Sequence, residues 1–501
     1  MKKIAMLTTF HGYLESYSLC QVARTQLKMM QRAGYECRFI FRGGPEETWK
    51  EFTNDIKIIP DYIVDNDGDY SGMEKRAKKM YDEMVMDTLH SLKEHLSDID
   101  VIITHDLFYQ PSNSIQDAAA QLYATEHPDK LWLHWIHSAT SPKDLNKTIK
   151  GKFPNSFICY PNAWDIPRVA RNFGFHESEI KVVPHPIDYV TFFDLHPLTQ
   201  RLIDEKDILS ADILCCYPLR LDLGKQPEMA IQILDQAKHH YKQSIRLIIV
   251  DFQSSGGDKL QYKQMLKALA AQSGWSDAEL TFMSDFEPRV DDQNLGCSIQ
   301  TPVKVVRDLF MLSNVYIHPS KSETYSLTTQ EARACKNMLI LNQDFPPMQT
   351  IYKEGPMYKK FGSCVDVLNH TDGETKTVYN PDVYSFAKDV AGELIFNLKN
   401  QAVLSMSTET RQNKNIDTVF RKHIEPLFYG KASAPSIPTE ESKPQLIDPI
   451  TGDLIVNLDG GLNQQINVPE NTPKHESSKN TILKPKTSSE DNIIQFGKEN
   501  K

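Results

Sequence analysis

The sequence has no long hydrophobic run. None of its apolar stretches approaches the about 20 residues that a membrane-spanning helix needs. The segment from Met1 to His11 is a short apolar stretch without a small-residue cleavage site, so it predicts a β-strand rather than a signal peptide. These two absences predict a cytoplasmic protein without an integral membrane segment.

Paired cysteine spacings are absent as well. The eight cysteines are scattered along the chain, and Cys215 and Cys216 are adjacent within an apolar segment. Metal and disulfide frameworks need regularly paired cysteines, whereas isolated thiols in apolar segments are usually buried and reduced. We therefore expect neither a disulfide framework nor a cysteine metal site.

An excess of positive charge is the third absence. The formal net charge is −10, which argues against a broadly basic surface for nucleic acid. A length of 501 residues predicts two or three domains. A hydrophobic content of 40% is compatible with a globular protein that carries a polar extension.

Strand-like and helix-like stretches alternate along most of the chain. The first set of strand-like runs covers 3–9, 37–42, 56–64, 100–105, 131–137, 156–161 and 181–184. The second set covers 212–219, 245–251, 279–284, 314–318, 337–342 and 363–367. Alternation with helices is typical of parallel sheets with right-handed crossovers. The predicted fold class is therefore α/β, with two Rossmann-like, doubly wound parallel-sheet domains.

The same patterns divide the chain into four parts. We expect an N-terminal Rossmann-like domain over 1–200 and a C-terminal one over 201–385, with the hinge near 190–208. Helical patterns continue over 386–430. The stretch 431–501 lacks long apolar faces and cannot bury enough surface to offset chain entropy, so it predicts a disordered tail.

One segment of the second set has the layout of a phosphate-binding element. An apolar strand, a polar turn with Glu323 and a helix with Glu331 follow one another, and the two acids lie about 12 Å apart along the axis at ~1.5 Å per residue. The N–H groups of residues 324–327 would open the helix, and its positive end favours phosphate. One acid would suit the sugar and the other the ribose of a nucleotide diphosphate-sugar. On spacing alone, a surface helix with two solvated acids explains the pattern better.

A second segment favours the phosphate interpretation. The apolar run that begins at Asp212 leads into a loop with Arg220 and Lys225, followed by a helix. Two cations at the carboxyl end of a strand can clamp a diphosphate, and open α/β sheets bind ligands at that edge. Taken alone, these cations are solvated loop charges. Together with Glu323 and Glu331, the clamp is the better explanation.

These residues resemble the retaining GT-B glycosyltransferases of the family-4 type. Arg220-x4-Lys225 is similar to the phosphate clamp of that family, and Glu323-x7-Glu331 to its donor-sugar and ribose motif. His137 ends a strand before Ser-Ala-Thr-Ser, as the active-site histidine of the family does. Lys181-Val-Val-Pro-His-Pro-Ile-Asp188 is similar to the signature that closes the N-terminal domain. The resemblance covers roughly residues 1 to 430.

The resemblance implies two Rossmann-like domains that face each other across a cleft, with the helices of 386–430 crossing back to the first domain. It implies retaining transfer of a sugar from a nucleotide diphosphate-sugar by front-face attack, with no cofactor and no metal. His137, Arg220, Lys225 and Glu323 would be the catalytic residues. The donor-binding residues would be Gly12, Thr324, Tyr325, Ser326, Leu327 and Glu331. By position alone, His137 could instead be a structural histidine.

The acceptor is open at this point. Lys143 and Lys147 lie in a lysine-rich loop after His137, which would suit an anionic acceptor such as a phosphorylated glycan, a lipid phosphate or DNA. A phage-type enzyme that glycosylates hydroxylated DNA bases would fit such a loop. A solvated loop explains the lysines equally well. Asp106, at another strand end, either positions an acceptor hydroxyl or caps the next segment, and the cap is favoured.

The sequence departs from the family after its first strand, where a Gly-Gly turn is usual. Here the corresponding loop contains Gly12 alone.

Two classes of protein other than a glycosyltransferase also stay open. A GT-B-fold nucleotide-sugar epimerase would use the same clamp without an acceptor. A non-catalytic nucleotide-sugar-binding protein would keep the fold, but the presence of all four clamp and acid residues argues against it.

Overall fold

The computed structural model describes residues 2–62, 75–107, 113–137, 152–251, 257–286, 301–321, 323, 325–362, 365–369, 375–379 and 382–430. The predicted tail over 431–501 lies outside these residues, as do the predicted site residues Thr324, Lys143 and Lys147. Within the described part of the chain, no helix is both long enough and apolar enough to cross a membrane.

The first half of the chain forms a seven-stranded parallel sheet. Its strands are β1 (Lys3–Leu7), β2 (Glu36–Arg42), β3 (Ile56–Ile59), β4 (Val101–His105), β5 (Leu131–Trp135), β6 (Ser156–Tyr160) and β7 (Ile180–Val182). Their order across the sheet is β3-β2-β1-β4-β5-β6-β7. The order reverses between β1 and β4, and doubly wound sheets open a ligand crevice at the carboxyl ends of such strands.

Helices cover both faces of this sheet. They are α1 (Ser18–Arg32) on one face and α2 (Lys75–Leu96), α3 (Ser114–Glu126) and α4 (Ile166–Phe173) on the other. The next two helices, α5 (Tyr189–Phe192) and α6 (Pro197–Lys206), instead join the core of the second half of the chain. Along β1, Ala5 and Leu7 belong to one buried cluster, whereas Ile4 and Met6 belong to another. Successive strand residues point to opposite faces, so the unbroken apolar run of β1 reflects a sheet buried on both sides.

The second half repeats the architecture with six parallel strands. They are β8 (Ile213–Leu219), β9 (Ile245–Asp251), β10 (Leu280–Phe282), β11 (Val315–His318), β12 (Met338–Asn342) and β13 (Met357–Lys359), in the order β10-β9-β8-β11-β12-β13. This is the Rossmann order, and its reversal lies between β8 and β11. The prediction of two Rossmann-like parallel-sheet domains is confirmed.

The sixth strand of this sheet is a correction to the sequence analysis. The predicted run 363–367 corresponds to β14 (Val365–Asn369), which pairs antiparallel with β15 (Thr375–Tyr379) in a separate two-stranded sheet. The strand that joins the parallel sheet is β13, three residues long, which the sequence analysis missed. Three residues after Gly355-Pro356 are too short a run to show a period of two.

Helices α7 (Pro227–His239), α8 (Gly257–Gln272), α9 (Met283–Phe286), α10 (Val303–Leu312), α11 (Leu327–Ala334) and α12 (Pro346–Ile351) accompany the second sheet. The chain continues through α13 (Asp382–Asn400), α14 (Ala402–Asn413), α15 (Ile416–Val419) and α16 (Glu425–Phe428), with a π-helical turn between the last two. Leu394 of α13 belongs to the core of the second sheet, whereas Ile416 and Phe428 belong to a core cluster of the first. The C-terminal helices therefore contact both halves.

Candidate functional site

The loops after β8 and β11 meet at the point where the strand order of the second sheet reverses. The backbone N–H of Lys321 donates to the carbonyl of Gly224 at 2.9 Å. The side-chain Nε2 of Gln226 donates to the carbonyl of Pro319 at 2.8 Å, and Gln226 is buried. These bonds join two segments about a hundred residues apart in the sequence into one surface.

Lys225 and Glu323 face each other across these two loops. The ammonium of Lys225 contacts Oε1 of Glu323, and both side chains are largely shielded from solvent. The hydroxyl of Tyr217 donates to the carbonyl of Lys225 at 2.7 Å, which anchors the end of the loop. Burial alone would raise the pKa of the Glu323 carboxyl, but hydrogen bonds from His318 and Lys225 lower that pKa to about 2. Glu323 is therefore ionised throughout the physiological range.

Arg220, the other predicted clamp residue, pairs within its own loop. Its Nε lies 3.1 Å from Oδ2 of Asp222, and its side chain is 54% exposed. Ion pairs this exposed contribute about 0–1 kcal/mol, so Arg220 can turn towards a bound anion at small cost. The structure thus places Lys225 directly against Glu323, whereas Arg220, in the same loop as Lys225, pairs with Asp222.

Helix α11 begins at Leu327, the last of the residues 324–327 whose N–H groups the sequence analysis placed at its opening. The hydroxyl of Ser326 accepts a hydrogen bond from the N–H of Thr329 at 3.4 Å. Ser326 has the left-handed conformation, with φ +60°, so the helix begins only after it. Glu323 precedes the helix and Glu331 lies on it, so a separation counted at the helical rise does not apply to this pair.

Three of the predicted donor-binding residues, Tyr325, Ser326 and Leu327, lie at this helix start. Tyr325 is half exposed, Leu327 is exposed, and the hydroxyl of Tyr352 donates to the carbonyl of Ser326 at 3.1 Å. Glu331 lies on α11 and is mostly exposed. The neighbouring protein atoms still shield part of its carboxyl from water, which raises the pKa of that carboxyl above the ordinary value.

Three non-glycine residues with positive φ lie in loops that carry predicted site residues. They are Asp106 (φ +51°), Gln226 (φ +49°) and Ser326 (φ +60°). Such backbone conformations cost roughly 1–3 kcal/mol each and persist only where the surroundings impose them. At Gln226 the structure shows what imposes the conformation, because the buried side chain is hydrogen-bonded to the carbonyl of Pro319 in the neighbouring loop.

In the first sheet, His137 belongs to a group of three histidines. Nδ1 of His105, at the end of β4, lies 2.8 Å from Nε2 of His137, and the rings are nearly parallel at 6°. The ring of His185 stacks on that of His137 with centroids 5.5 Å apart. Burial is the main cause that lowers the pKa of His137 to about 4, and it lowers the pKa values of His105 and His185 as well. The three imidazoles are therefore neutral at physiological pH.

Asp106 fixes the backbone beside this group. Its Oδ1 accepts a hydrogen bond from the N–H of His137 at 3.0 Å, so the carboxylate bonds to the loop after the neighbouring strand β5. Burial raises the pKa of Asp106 to about 6, although the bond from His137 opposes the rise. The sequence analysis gave this residue either an acceptor role or a capping role and favoured the cap. In the structure, its carboxylate links the loop after β4 to the loop after β5.

The loop after β1 contains Gly12, whose φ is +109°. A Cβ atom at Gly12 would lie 3.1 Å from Oγ1 of Thr48. The sequence analysis found no Gly-Gly turn after β1, but the pair Gly43-Gly44 after β2 lies against this loop. A Cβ atom at Gly44 would come within 2.4 Å of the carbonyl oxygen of His11. The absence of a Cβ atom at Gly44 therefore lets the loop after β2 pack closely against the backbone of the loop after β1.

The sequence analysis missed several residues that the structure places in these groups. They are His105, His185, Gln226, Tyr316 and His318. A signal for the last two was available, because Tyr316 and His318 are polar residues two apart in an otherwise apolar strand and so share one face. No comparable local signal identifies Gln226, because its role depends on contact between distant loops.

Comparisons with known proteins gave the following results. No protein-family model matches the chain, and no curated protein matches it. Among solved structures, a glycosyltransferase from Rickettsia africae is similar at 13% identity, covering 85% of this chain and 98% of that chain, with a TM-score of 0.31. HepE of Anabaena in complex with UDP is similar at 11% identity, covering 84% and 97%, with a TM-score of 0.29. Sucrose-phosphate synthase from Thermosynechococcus elongatus is similar at 14% identity, covering 86% and 97%, with a TM-score of 0.28.

Proposed function

We propose that this chain is a retaining glycosyltransferase of the GT-B, family-4 type. It transfers a sugar from a nucleotide diphosphate-sugar to a hydroxyl acceptor. The observation that carries the proposal is the contact between Lys225 and Glu323 at the strand-order reversal of the second sheet. That edge is where doubly wound sheets bind ligands, and the contact brings together a cation for phosphate and an acid for sugar hydroxyls.

The diphosphate binds between the two loops. Lys225 and Arg220 pair with its oxygens, and the start of α11 adds the positive end of a helix. As the bond between sugar and phosphate breaks, negative charge grows on the leaving phosphate, and these groups stabilise it. Glu323 accepts hydrogen bonds from sugar hydroxyls, and Glu331 binds the ribose.

His137 contacts the donor from the first sheet. Because burial keeps its imidazole neutral, it acts through hydrogen bonds rather than as a charged acid. Asp106 and His105 hold its backbone and its ring respectively. The donor sugar then lies between the carboxyl edges of the two sheets, with residues 1–200 on the acceptor side and residues 201–385 on the donor side.

The chemical step is front-face displacement. The bond between the anomeric carbon and the phosphate oxygen breaks, and the bond to the acceptor oxygen forms on the same face of the sugar. The departing phosphate takes the proton of the acceptor hydroxyl. The configuration at the anomeric carbon is thereby retained without a protein nucleophile. Asp106, Lys143 and Lys147 stay predictions for the acceptor side, where an anionic acceptor and a solvated loop explain the lysines equally well.

Product analysis tests this proposal. The chain is incubated with each of UDP-, GDP-, ADP- and CDP-glucose, alone and with glycans, lipid phosphates or DNA containing hydroxylated bases. Transfer with retained configuration, lost in Lys225→Ala and in Glu323→Ala with their folds intact, is the expected result. Conversion of the donor without an acceptor would instead identify an epimerase. Near-normal transfer by both variants would contradict the donor-site assignment.

A further inference from the structure

Glu323 has a second neighbour besides Lys225. Nε2 of His318 lies 3.5 Å from the same carboxylate oxygen, Oε1, that Lys225 contacts. His318 is the last residue of β11, and its side chain is only 3% exposed. The carboxylate is therefore approached from the core by an imidazole and across the loop by an ammonium.

The His318 ring is held in place by its surroundings. The ring of Tyr316 stacks on it at 16°, and the ring of Tyr217 meets it edge-on at 83°. The hydroxyl of Tyr316 also lies 3.0 Å from Nδ1 of His318. Because two aromatic rings pack against the imidazole and one nitrogen is engaged, the direction of Nε2 is set by residues of β8 and β11 and not by the mobile end of a long side chain.

Nε2 of His318 is buried and makes no hydrogen bond in the described structure, and Oε1 of Glu323 lies 3.5 Å from it. Burial lowers the pKa of His318, so the ring is neutral. An ionised carboxylate can only accept, so we assign the proton to Nε2, which leaves Nδ1 as an acceptor. Tyr316 must then donate to Nδ1, and its oxygen accepts from the hydroxyl of Thr328 at 2.8 Å. Thr328 lies in the first turn of α11. The hydroxyls of Thr328 and Tyr316 thus link the start of this helix to the His318 ring, whose Nε2 faces Glu323.

We propose that His318 is a positioning residue for Glu323 and holds its carboxylate in the orientation that binds the donor sugar. This inference rests on the proposed function. When a diphosphate engages Lys225, Glu323 loses its cation, and an unsupported side chain with three rotatable bonds would turn away. The neutral donor His318 keeps Oε1 in place without cancelling the charge that sugar hydroxyls need. Hydrogen bonds through Tyr316 and Thr328 also link the His318 ring to α11, which carries Glu331.

Two variants separate positioning from mere packing. His318→Leu fills the space but removes both nitrogens, whereas His318→Gln keeps an N–H that can reach Glu323. Titration calorimetry with the full chain would use UDP, GDP, ADP and CDP beside the four corresponding glucose donors. We expect His318→Leu to weaken binding of the nucleotide sugar by about 10- to 100-fold and to leave binding of the free diphosphate within about twofold. His318→Gln should recover most of the loss.

Further variants keep the test decisive. Tyr316→Phe removes only the hydroxyl that bonds Nδ1, and we expect a smaller loss confined to the nucleotide sugar. His423→Leu, a matched loss of a buried histidine at the C-terminal turn, should change neither affinity. Equal weakening of diphosphate and nucleotide sugar, no weakening at all, or no recovery in His318→Gln would overturn the inference. Absence of binding by the unaltered chain would overturn the proposed function itself.

Discussion

Lys225 and Glu323 stand 98 residues apart in the sequence, yet the ammonium of one contacts the carboxylate of the other. Each neutralises the other in the absence of a ligand. Under the proposed function, a bound diphosphate competes with Glu323 for Lys225, and the released carboxylate becomes available to the sugar. We propose that this exchange lets one loop pair recognise both parts of a nucleotide sugar.

Glu323→Gln should separate these two effects. Removing the carboxylate charge frees Lys225, so we expect the affinity for a free nucleoside diphosphate to rise about three- to tenfold, measured by titration calorimetry. Sugar transfer by the same variant should be lost. Asp222→Asn is a matched control, because it removes the acid beside the exposed Arg220 and should change diphosphate affinity by about twofold or less. Weaker diphosphate binding in Glu323→Gln would contradict the exchange.

The raised pKa of Asp106 predicts that the stability of the folded chain depends on pH. Burial raises its pKa to about 6 in the folded chain, from an ordinary value of 3.8, so the folded state binds the proton more tightly than the unfolded state. Its stabilising effect is therefore complete below about pH 4 and is lost as pH rises through 6. Asp106→Asn keeps an oxygen for the N–H of His137 and tolerates positive φ. We expect this variant to gain of the order of 2–3 kcal/mol over the unaltered chain at pH 8 and nothing at pH 4. Urea unfolding at both pH values measures the difference, and an equal gain at both would contradict the assignment.

Replacing Gly44 by alanine should cause a steric clash, and the same replacement at Gly355 serves as the control. Both glycines have positive φ, +91° and +96° respectively, so alanine strains the backbone similarly at each, by about 1–2 kcal/mol. Only at Gly44 would the new Cβ meet the backbone of His11, whereas nothing lies within 4 Å at Gly355. We expect Gly44→Ala to lose clearly more free energy of unfolding than Gly355→Ala. Equal losses would show that the loop after β1 can move aside.

The predictions from the sequence succeed where the signal is local. The apolar run of β1 and the alternation of strands and helices identified both parallel sheets, because burial of sheet faces follows from neighbouring residues. The strand end that carries Arg220 and Lys225 was visible for the same reason. The left-handed conformation of Ser326 was not predicted, because a serine with positive φ leaves no trace in hydrophobic periodicity. His318 was missed because its role depends on which loop the fold brings against it.

The pairing of Gly44 with His11 illustrates the same limit. The sequence analysis looked for a second glycine beside Gly12, within one loop. In the structure, Gly44 after β2 lies against the backbone of His11 in that loop. A contact between the loops of two neighbouring strands can be recognised only after the strand order is known.

The most direct test of the account is a thermal-shift panel with UDP-, GDP-, ADP- and CDP-linked sugars on the unaltered chain and on Arg220→Ala. A ligand that binds the folded state raises its melting temperature by mass action. Arg220 is largely exposed, so its loss should change the unliganded melting temperature little. We predict a rise with one nucleotide sugar that is absent or strongly reduced in Arg220→Ala. No rise with any donor, or an equal rise in both proteins, would contradict the nucleotide-sugar clamp.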